Sequence, residues 1–204
     1  MLHVAGREPP VPSRASGVRV TVVSERVMQR LSDAATAPGI VAVVRTPDVA
    51  RPVPATGPVL VLDGVSDPGN VGTLLRTAAA FGAAVVSLGG ADPFGPKAVR
   101  ASAGTCYRTS IHRPEDGVDL AVLLRGAGRP ILGLAATGGR ALHEVAHEVP
   151  SCGVVLAVGS EPHGLSGLVE TLLDERVRIP MAPGVESLNV AAAGAIAMHA
   201  LMPV

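Results

Sequence analysis

The sequence predicts an α/β fold built on a parallel sheet, and three observations carry that prediction. Strands and helices alternate from Val59 onward, several strands are unbroken apolar runs, and three motifs rich in small and polar residues each follow a strand. Runs such as Val59-Leu60-Val61-Leu62 and Val154-Val155-Leu156-Ala157-Val158 suit strands covered on both faces, as in a parallel sheet flanked by helices. Ligands of such sheets bind beyond the carboxyl ends of the strands. The pattern places strands at 59–64, 84–88, 107–111, 130–135, 153–158 and 176–179, and helices near 70–81, 96–102, 117–126, 164–173 and 187–201.

Composition narrows the functions open to the chain. With 204 residues, 48% of them hydrophobic, it can bury one ordinary domain plus an appendage. Seventeen basic residues balance seventeen acidic ones, so any contact with nucleic acid must be local rather than a broad basic face. The aromatic residues are only Phe81, Phe94 and Tyr107, which sets aside a platform stacking several bases in succession. Cys106 and Cys152 form no spaced ligand pair, and with no signal-peptide pattern at the start a reducing cytoplasm is expected. The longest uncharged apolar run, residues 190–201, falls short of the ~20 residues a membrane span needs and reads as a buried helix.

Residues 18–44 read as strand, helix and strand, with Ser24 placed to cap the helix. Two strands and a helix make no stable domain alone, so residues 1–45 are expected either to dock on the main body or to belong to a domain whose front half is missing. Residues 46–58 contain four prolines and read as a stiff linker into the main domain, residues 59–204.

In the first motif a buried strand ends at Asp63, the chain turns through Ser66-Asp67-Pro68-Gly69, and Asn70 is placed to cap the helix that carries Arg76. In the second, Gly159 follows a strand and Gly164 is expected to open the next helix, leaving Glu161 and His163 in the loop between them. Glycine there lets a ligand approach the backbone closely, and Pro162 restricts Glu161 to extended backbone. In the third, Glu186-Ser187-Leu188-Asn189 opens the final helix, with Ser187 as the expected cap and with polar side chains and free amides where an uncharged polar ligand could use them.

The set Asp67-Pro68-Gly69-Asn70-x-Gly-x-x-x-Arg76, Gly159-Ser160-Glu161-x-x-Gly164-Leu165-Ser166 and Ile179-Pro180-Met181 followed by Ser187-Leu188-Asn189-Val190 resembles the SpoU (TrmH-type) RNA ribose 2'-O-methyltransferases of the SPOUT superfamily. Order, spacing and polar residues agree in all three places, from Val59 to the C-terminus. The stretch from Asp92-Pro93-Phe94-Gly95-Pro96-Lys97 to Arg100-Ala101-Ser102-Ala103-Gly104 is similar to the family's segment between its first two motifs.

The resemblance implies a deep trefoil knot at the C-terminal end, an exception to the rule that chains do not thread loops, and a homodimer with its site near the subunit boundary. It implies S-adenosylmethionine (AdoMet) as methyl donor, held largely by main-chain groups at Gly159, Ile179, Met181 and Leu188 with Thr137 beside them. By the same carry-over Arg76 acts on the ribose 2'-hydroxyl, Asn70 and Glu161 hold the arginine and substrate, and Ser187 and Asn189 complete the pocket. RNA contact falls on Lys97 and Arg100, with ribosomal or transfer RNA as the substrate. A guanidinium, whose pKa lies above about 12, suits binding the adjacent phosphate and polarising the hydroxyl better than acting as a base. Residues 18–44 resemble only the last part of the family's N-terminal RNA-binding domain, matching its exit at Leu31-Ser32-Asp33 and Pro38-Gly39-Ile40, so weaker or altered RNA binding is expected.

Three other readings compete. His143-Glu144-Val145-Ala146-His147 matches the His-Glu-x-x-His helix of zinc metalloproteases. Gly138-Gly139 and Pro150 confine that helix, and Glu170 is only a loosely spaced third ligand, so two surface histidines account for it better and no metal is expected. A catalytically silent RNA-binding dimer would need none of Asn70, Arg76, Glu161, Ser187 and Asn189. A dinucleotide oxidoreductase is disfavoured because no strand is followed by Gly-x-Gly-x-x-Gly.

Overall fold

The computed structural model describes residues 1–7, 17–32, 39–48, 53–114, 120–126 and 128–202, and the chain divides into two compact units, Met1–Thr46 and Pro47–Val204. Asp33 and Pro38, residues 49–52 of the proline-rich stretch and the start of the helix expected at 117–126 lie outside the described residues.

The first unit holds β1 (Leu2–Val4), β2 (Thr21–Val23), α1 (Glu25–Leu31) and β3 (Ile40–Val41). Ser24 caps α1, its hydroxyl accepting from the Val27 amide, and Met28 is the helix's buried residue. The strand Leu2–Val4 lies outside the expected pattern. It is the central strand of the sheet, parallel to β2 and antiparallel to β3.

The second unit contains the seven strands β4 (Val59–Asp63), β5 (Ala84–Leu88), β6 (Ile111–His112), β7 (Ile131–Leu134), β8 (Arg140–Ala141), β9 (Val155–Gly159) and β10 (Glu175–Arg178). They form one sheet in the order β6-β5-β4-β9-β7-β10-β8, and each pairing is parallel. Its helices are α2 (Pro68–Ala80), α3 (Pro96–Ala101), α4 (Leu120–Arg125), α5 (Leu142–Val145), α6 (Gly167–Glu170) and α7 (Val190–Leu201).

The apolar runs work as their period requires, successive side chains going to opposite faces. Leu60, Leu62, Leu156 and Val158 join the core under α2 and α7, while Val59, Val61, Val155 and Ala157 join the core with Leu120, Leu124 and Val169. Helices come close where a side chain is missing. A Cβ on Gly72 of α2 would run into the Ala98 carbonyl and Ala101 of α3, and one on Gly194 of α7 would strike Leu74 of α2.

Three expected elements differ in the structure, each for a local reason. Within the strand expected at 107–111, only Ile111–His112 pairs with β5. The residues before it form a 3-10 turn, Thr105–Tyr107, launched by Gly104 at φ 77° and held by the Thr105 and Thr109 hydroxyls donating to the Ser102 and Thr105 carbonyls. The helix expected at 164–173 shrinks to Gly167–Glu170, because Gly164 at φ 68° closes a tight loop by pairing with Ser160, and Ser166 supplies the cap. The final helix begins at Val190 rather than 187, capped by Asn189 in place of Ser187.

Candidate active site

The segments after β7, β9 and β10 meet at the carboxyl edge of the sheet around a cavity of about 590 Å³, inside the size range of small-molecule sites. Thr137, Gly159, Ile179, Met181 and Leu188 all line it, as does Ser187. Leu134, Val158, Leu165 and Val190 add apolar wall, and Glu161, His163, Glu170 and Arg176 add polar groups. Gly159 keeps the loop tight, since a Cβ there would overlap the Gly164 carbonyl.

Three polar side chains close over one edge of this cavity. Asn70 Nδ2 donates to Glu161 Oε1 at 2.9 Å, and Asn189 Nδ2 donates to the same oxygen at 3.3 Å and to Asn70 Oδ1 at 3.0 Å. The orientation of Asn189 is fixed by its capping role, because its Oδ1 accepts from the Ala191 and Ala192 amides at 3.0 and 3.2 Å, which leaves the amide nitrogen facing the cluster. Glu161 thus lies between the N-terminal ends of α2 and α7, where helix dipoles favour a negative charge. Its Oε2 has no partner among the described residues.

Asn70 is free for this network because it does not cap α2. That role belongs to Asp67, whose Oδ1 accepts from the Gly69 and Asn70 amides at 2.6 and 3.0 Å, with Lys97 Nζ 3.2 Å from Oδ2. The Asn70 amide first, then Lys97, holds the Asp67 carboxyl below its ordinary range. Lys97 is therefore engaged in an ion pair, whereas Arg100 is exposed with no side-chain partner among the described residues.

Asp63 is a positioning group that reading by motif passed over. It is buried at the end of β4, and its Oδ2 accepts from the Ser166 amide at 2.5 Å, tying the loop of Glu161 to that strand. The legible signal was a carboxylate ending an otherwise apolar strand.

Arg76 is not part of the cluster. It lies on the exposed side of α2 and lines a second cavity with Thr105, Arg108 and Ser110. One chain therefore assembles the carboxylate, the two asparagines and the cavity, and leaves the guanidinium outside.

The His-Glu-x-x-His pattern is not a continuous helix. His143 lies on α5, His147 on the 3-10 turn Ala146–Glu148, and Glu144 accepts from the Ala141 amide at 3.1 Å. Among the described residues no group of three His, Cys, Asp or Glu side chains could hold a metal ion. No helix among them is long and apolar enough to cross a membrane.

Residues 57–199 match the SpoU rRNA Methylase family. A tRNA/rRNA methyltransferase of Mycobacterium bovis is 36% identical over 171 residues, covering 79% of this chain and 58% of the relative, so the chain spans little more than half of that protein. A 23S rRNA adenosine 2'-O-methyltransferase of Streptomyces laurentii is 32% identical over 189 residues, covering 90% of this chain and 69% of the relative. The crystal structure of a SpoU methyltransferase from Streptomyces viridochromogenes in complex with AdoMet superposes with a TM-score of 0.81 at 28% identity, over 98% of this chain and 80% of that one.

Proposed function

This chain belongs to the SpoU rRNA methylase family, and from that premise we propose that it transfers a methyl group from AdoMet to a ribose 2'-hydroxyl of ribosomal or transfer RNA. The observation that carries the reading is the Asn70–Glu161–Asn189 cluster closing over a cavity lined by all five residues expected to hold the donor. The cavity fits that donor: apolar walls at Leu134, Val158 and Leu165 suit its base and methylene arms, and Glu161 complements its positive charge, Glu170 being paired with Arg176. Bound there, AdoMet would supply a methyl group activated on a sulfonium: the S–CH3 bond would break as the O–CH3 bond formed, with S-adenosylhomocysteine as leaving group and the hydroxyl proton passing to water.

The chain's own residues supply position. Gly159, Ile179, Met181 and Leu188, with Thr137, hold the donor through main-chain groups, and Ser187 and Asn189 fix its reacting end. Asn70 holds Glu161, whose unpartnered oxygen faces the substrate. Positioning of this kind accounts for a large part of the acceleration of such a displacement. Arg76 polarises the 2'-hydroxyl and binds the neighbouring phosphate, with Lys97 and Arg100 as outer RNA contacts.

Because Arg76 lies outside the cavity of its own chain, the complete site needs a second copy, and we infer a homodimer in which each protomer lends its arginine to the other. The exposed Ile196 on the otherwise apolar α7 supports an interface there. The C-terminal segment is inferred to thread a trefoil knot, with β9 inserted between β4 and β7 and the loop before α7 lining the cavity. Residues 1–45 are assigned an RNA-binding role, and the proline-rich stretch 46–58 connects them to the methyltransferase domain.

The test is to incubate the protein with methyl-labelled AdoMet and unmodified ribosomal and transfer RNA transcripts, then digest to nucleosides. The label is expected on ribose. Label on a base, or AdoMet binding without transfer to any RNA, would overturn the reading.

A further inference from the structure

Most arginines of the second unit are spoken for. Arg113 pairs with Asp92, Arg125 with Asp174, Arg140 with Glu148 and Arg176 with Glu170, while Arg129 is buried on backbone carbonyls and Arg178 donates to the Gly139 carbonyl. Arg76, Arg100 and Arg108 have no side-chain partner among the described residues, and two of these three line one cavity of about 520 Å³. Among the described residues no carboxylate lines it. Two guanidinium groups share an opening that no described residue supplies with a counter-charge, in a chain whose net charge is zero.

The sequence builds this opening deliberately. Thr105 and Thr109 spend their hydroxyl protons inside the turn, which rigidifies the backbone that carries Arg108, and the Arg108 amide closes the turn on the Thr105 carbonyl at 2.8 Å. The hydroxyl of Ser110 remains available as a donor. On the other wall, Ala79, Ala80, Ala83 and Ala84 leave space for a bulky ligand to come close. Paired guanidinium forks beside a free hydroxyl suit a tetrahedral oxyanion, with Arg preferred where forked phosphate contact matters.

We propose that Arg108, with Ser110, is an RNA-binding residue that holds the phosphodiester next to the one contacted by Arg76 and so sets the register of the target ribose. This rests on the function proposed above, which places Arg76 at the 2'-hydroxyl. Arg108 comes from the turn after α3, outside all three motifs.

The experiment uses the full chain, a fluorescein-labelled 12-nucleotide single-stranded RNA for binding, and whichever ribosomal or transfer RNA transcript the unaltered protein methylates. Arg108→Ala is expected to raise KM for the transcript about tenfold, more than it lowers kcat, and to leave AdoMet affinity unchanged. It is also expected to flatten the slope of log affinity against log salt for the 12-mer by about 0.7, the loss of one phosphate contact on a single strand. Arg108→Lys keeps the slope and recovers part of the KM, and Arg108→Glu weakens binding further than alanine. Unchanged KM and salt slope in Arg108→Ala, with AdoMet binding intact, would overturn the proposal. So would a shift in oligomeric state with an unaltered slope, which would assign the cavity to a protein partner. If the unaltered protein methylated no RNA, the proposed function would fail, and the salt slope would still decide whether Arg108 contacts phosphate.

Discussion

Asn70 and Glu161, 91 residues apart in the chain, are joined by a hydrogen bond of 2.9 Å that ties the start of α2 to the loop after β9. The bond fixes one carboxylate oxygen and leaves the other without a partner among the described residues. Glu161→Gln keeps the shape and removes the charge, so methyl transfer is expected to fall about 10²-fold while AdoMet affinity changes only a few-fold. Asn70→Asp sets a second carboxylate beside the first, and one of the two then ionises only at raised pH. The expected signature is a pH–rate profile for Asn70→Asp displaced to higher pH relative to the unaltered protein. Equal activity of both variants across pH would remove the cluster from the mechanism.

The cap of α2 makes the helix acid-sensitive. Asp67 is held below its ordinary pKa by the Asn70 amide and by Lys97, so the folded state binds its proton less readily than the unfolded state does. Its contribution is present above the unfolded value, about 3.9 for aspartate, and is lost as pH falls through the lower folded value. Thermal melts from pH 6 downward should show the gap between the unaltered protein and Asp67→Asn closing below pH ~4. A gap that stays constant to pH ~2 would show that the charge on Asp67 contributes nothing.

Arg129 staples the proline-rich stretch to the sheet. Fully buried, it donates to the Pro54 and Gly57 carbonyls at 2.8 and 3.0 Å and to Leu124 at 3.2 Å, and burial pushes its pKa down. Arg129→Ala leaves those acceptors unpaired over a void, which costs about 2–4 kcal/mol. Tm is expected to drop by roughly 5–10 °C, with faster proteolysis near Thr56 and AdoMet affinity retained in the folded fraction. Unchanged melting and cleavage would mean that the carbonyls find water as readily as the guanidinium.

The parts of this protein legible in its sequence are those set by short-range chemistry. The runs at 59–62 and 154–158 announced buried parallel strands because both of their faces are apolar, and all five residues expected around the donor line one cavity because each follows a strand of the same sheet. Caps were harder to read. Asp67 and Asn70, like Ser187 and Asn189, are both chemically able to cap, and sequence does not choose between them: Asn70 leaves the cap to Asp67 and bonds Glu161, whereas Asn189 caps with its oxygen and joins the cluster with its nitrogen. Tyr107, Thr109 and Ile111 carry the strand propensity behind the expected strand at 107–111, but the left-handed Gly104 and two back-bonding threonines turn the chain at Thr105–Tyr107, so pairing starts only at Ile111. The position of Arg76 was least legible, since the spacing from Asn70 to Arg76 puts both on one helix without saying that they serve different cavities.

That separation gives the decisive prediction for the dimer. If Arg76 of one protomer completes the cluster of the other, then Arg76→Ala and Glu161→Gln are each inactive alone, since every site in either homodimer lacks one partner. A mixed dimer contains one site lacking both groups and one site with both, Arg76 from the Glu161→Gln protomer and Glu161 from the Arg76→Ala protomer. Random reassortment places half of the molecules in mixed dimers, each with one working site of two, so co-refolding equal amounts should restore about a quarter of the unaltered activity. Restoration near that level places the arginine across the interface. Mixtures as inactive as their parents, with exchange of protomers verified by differential tagging, would require Arg76 to act within its own chain, through a movement of α2 that brings it to the Asn70–Glu161–Asn189 cluster.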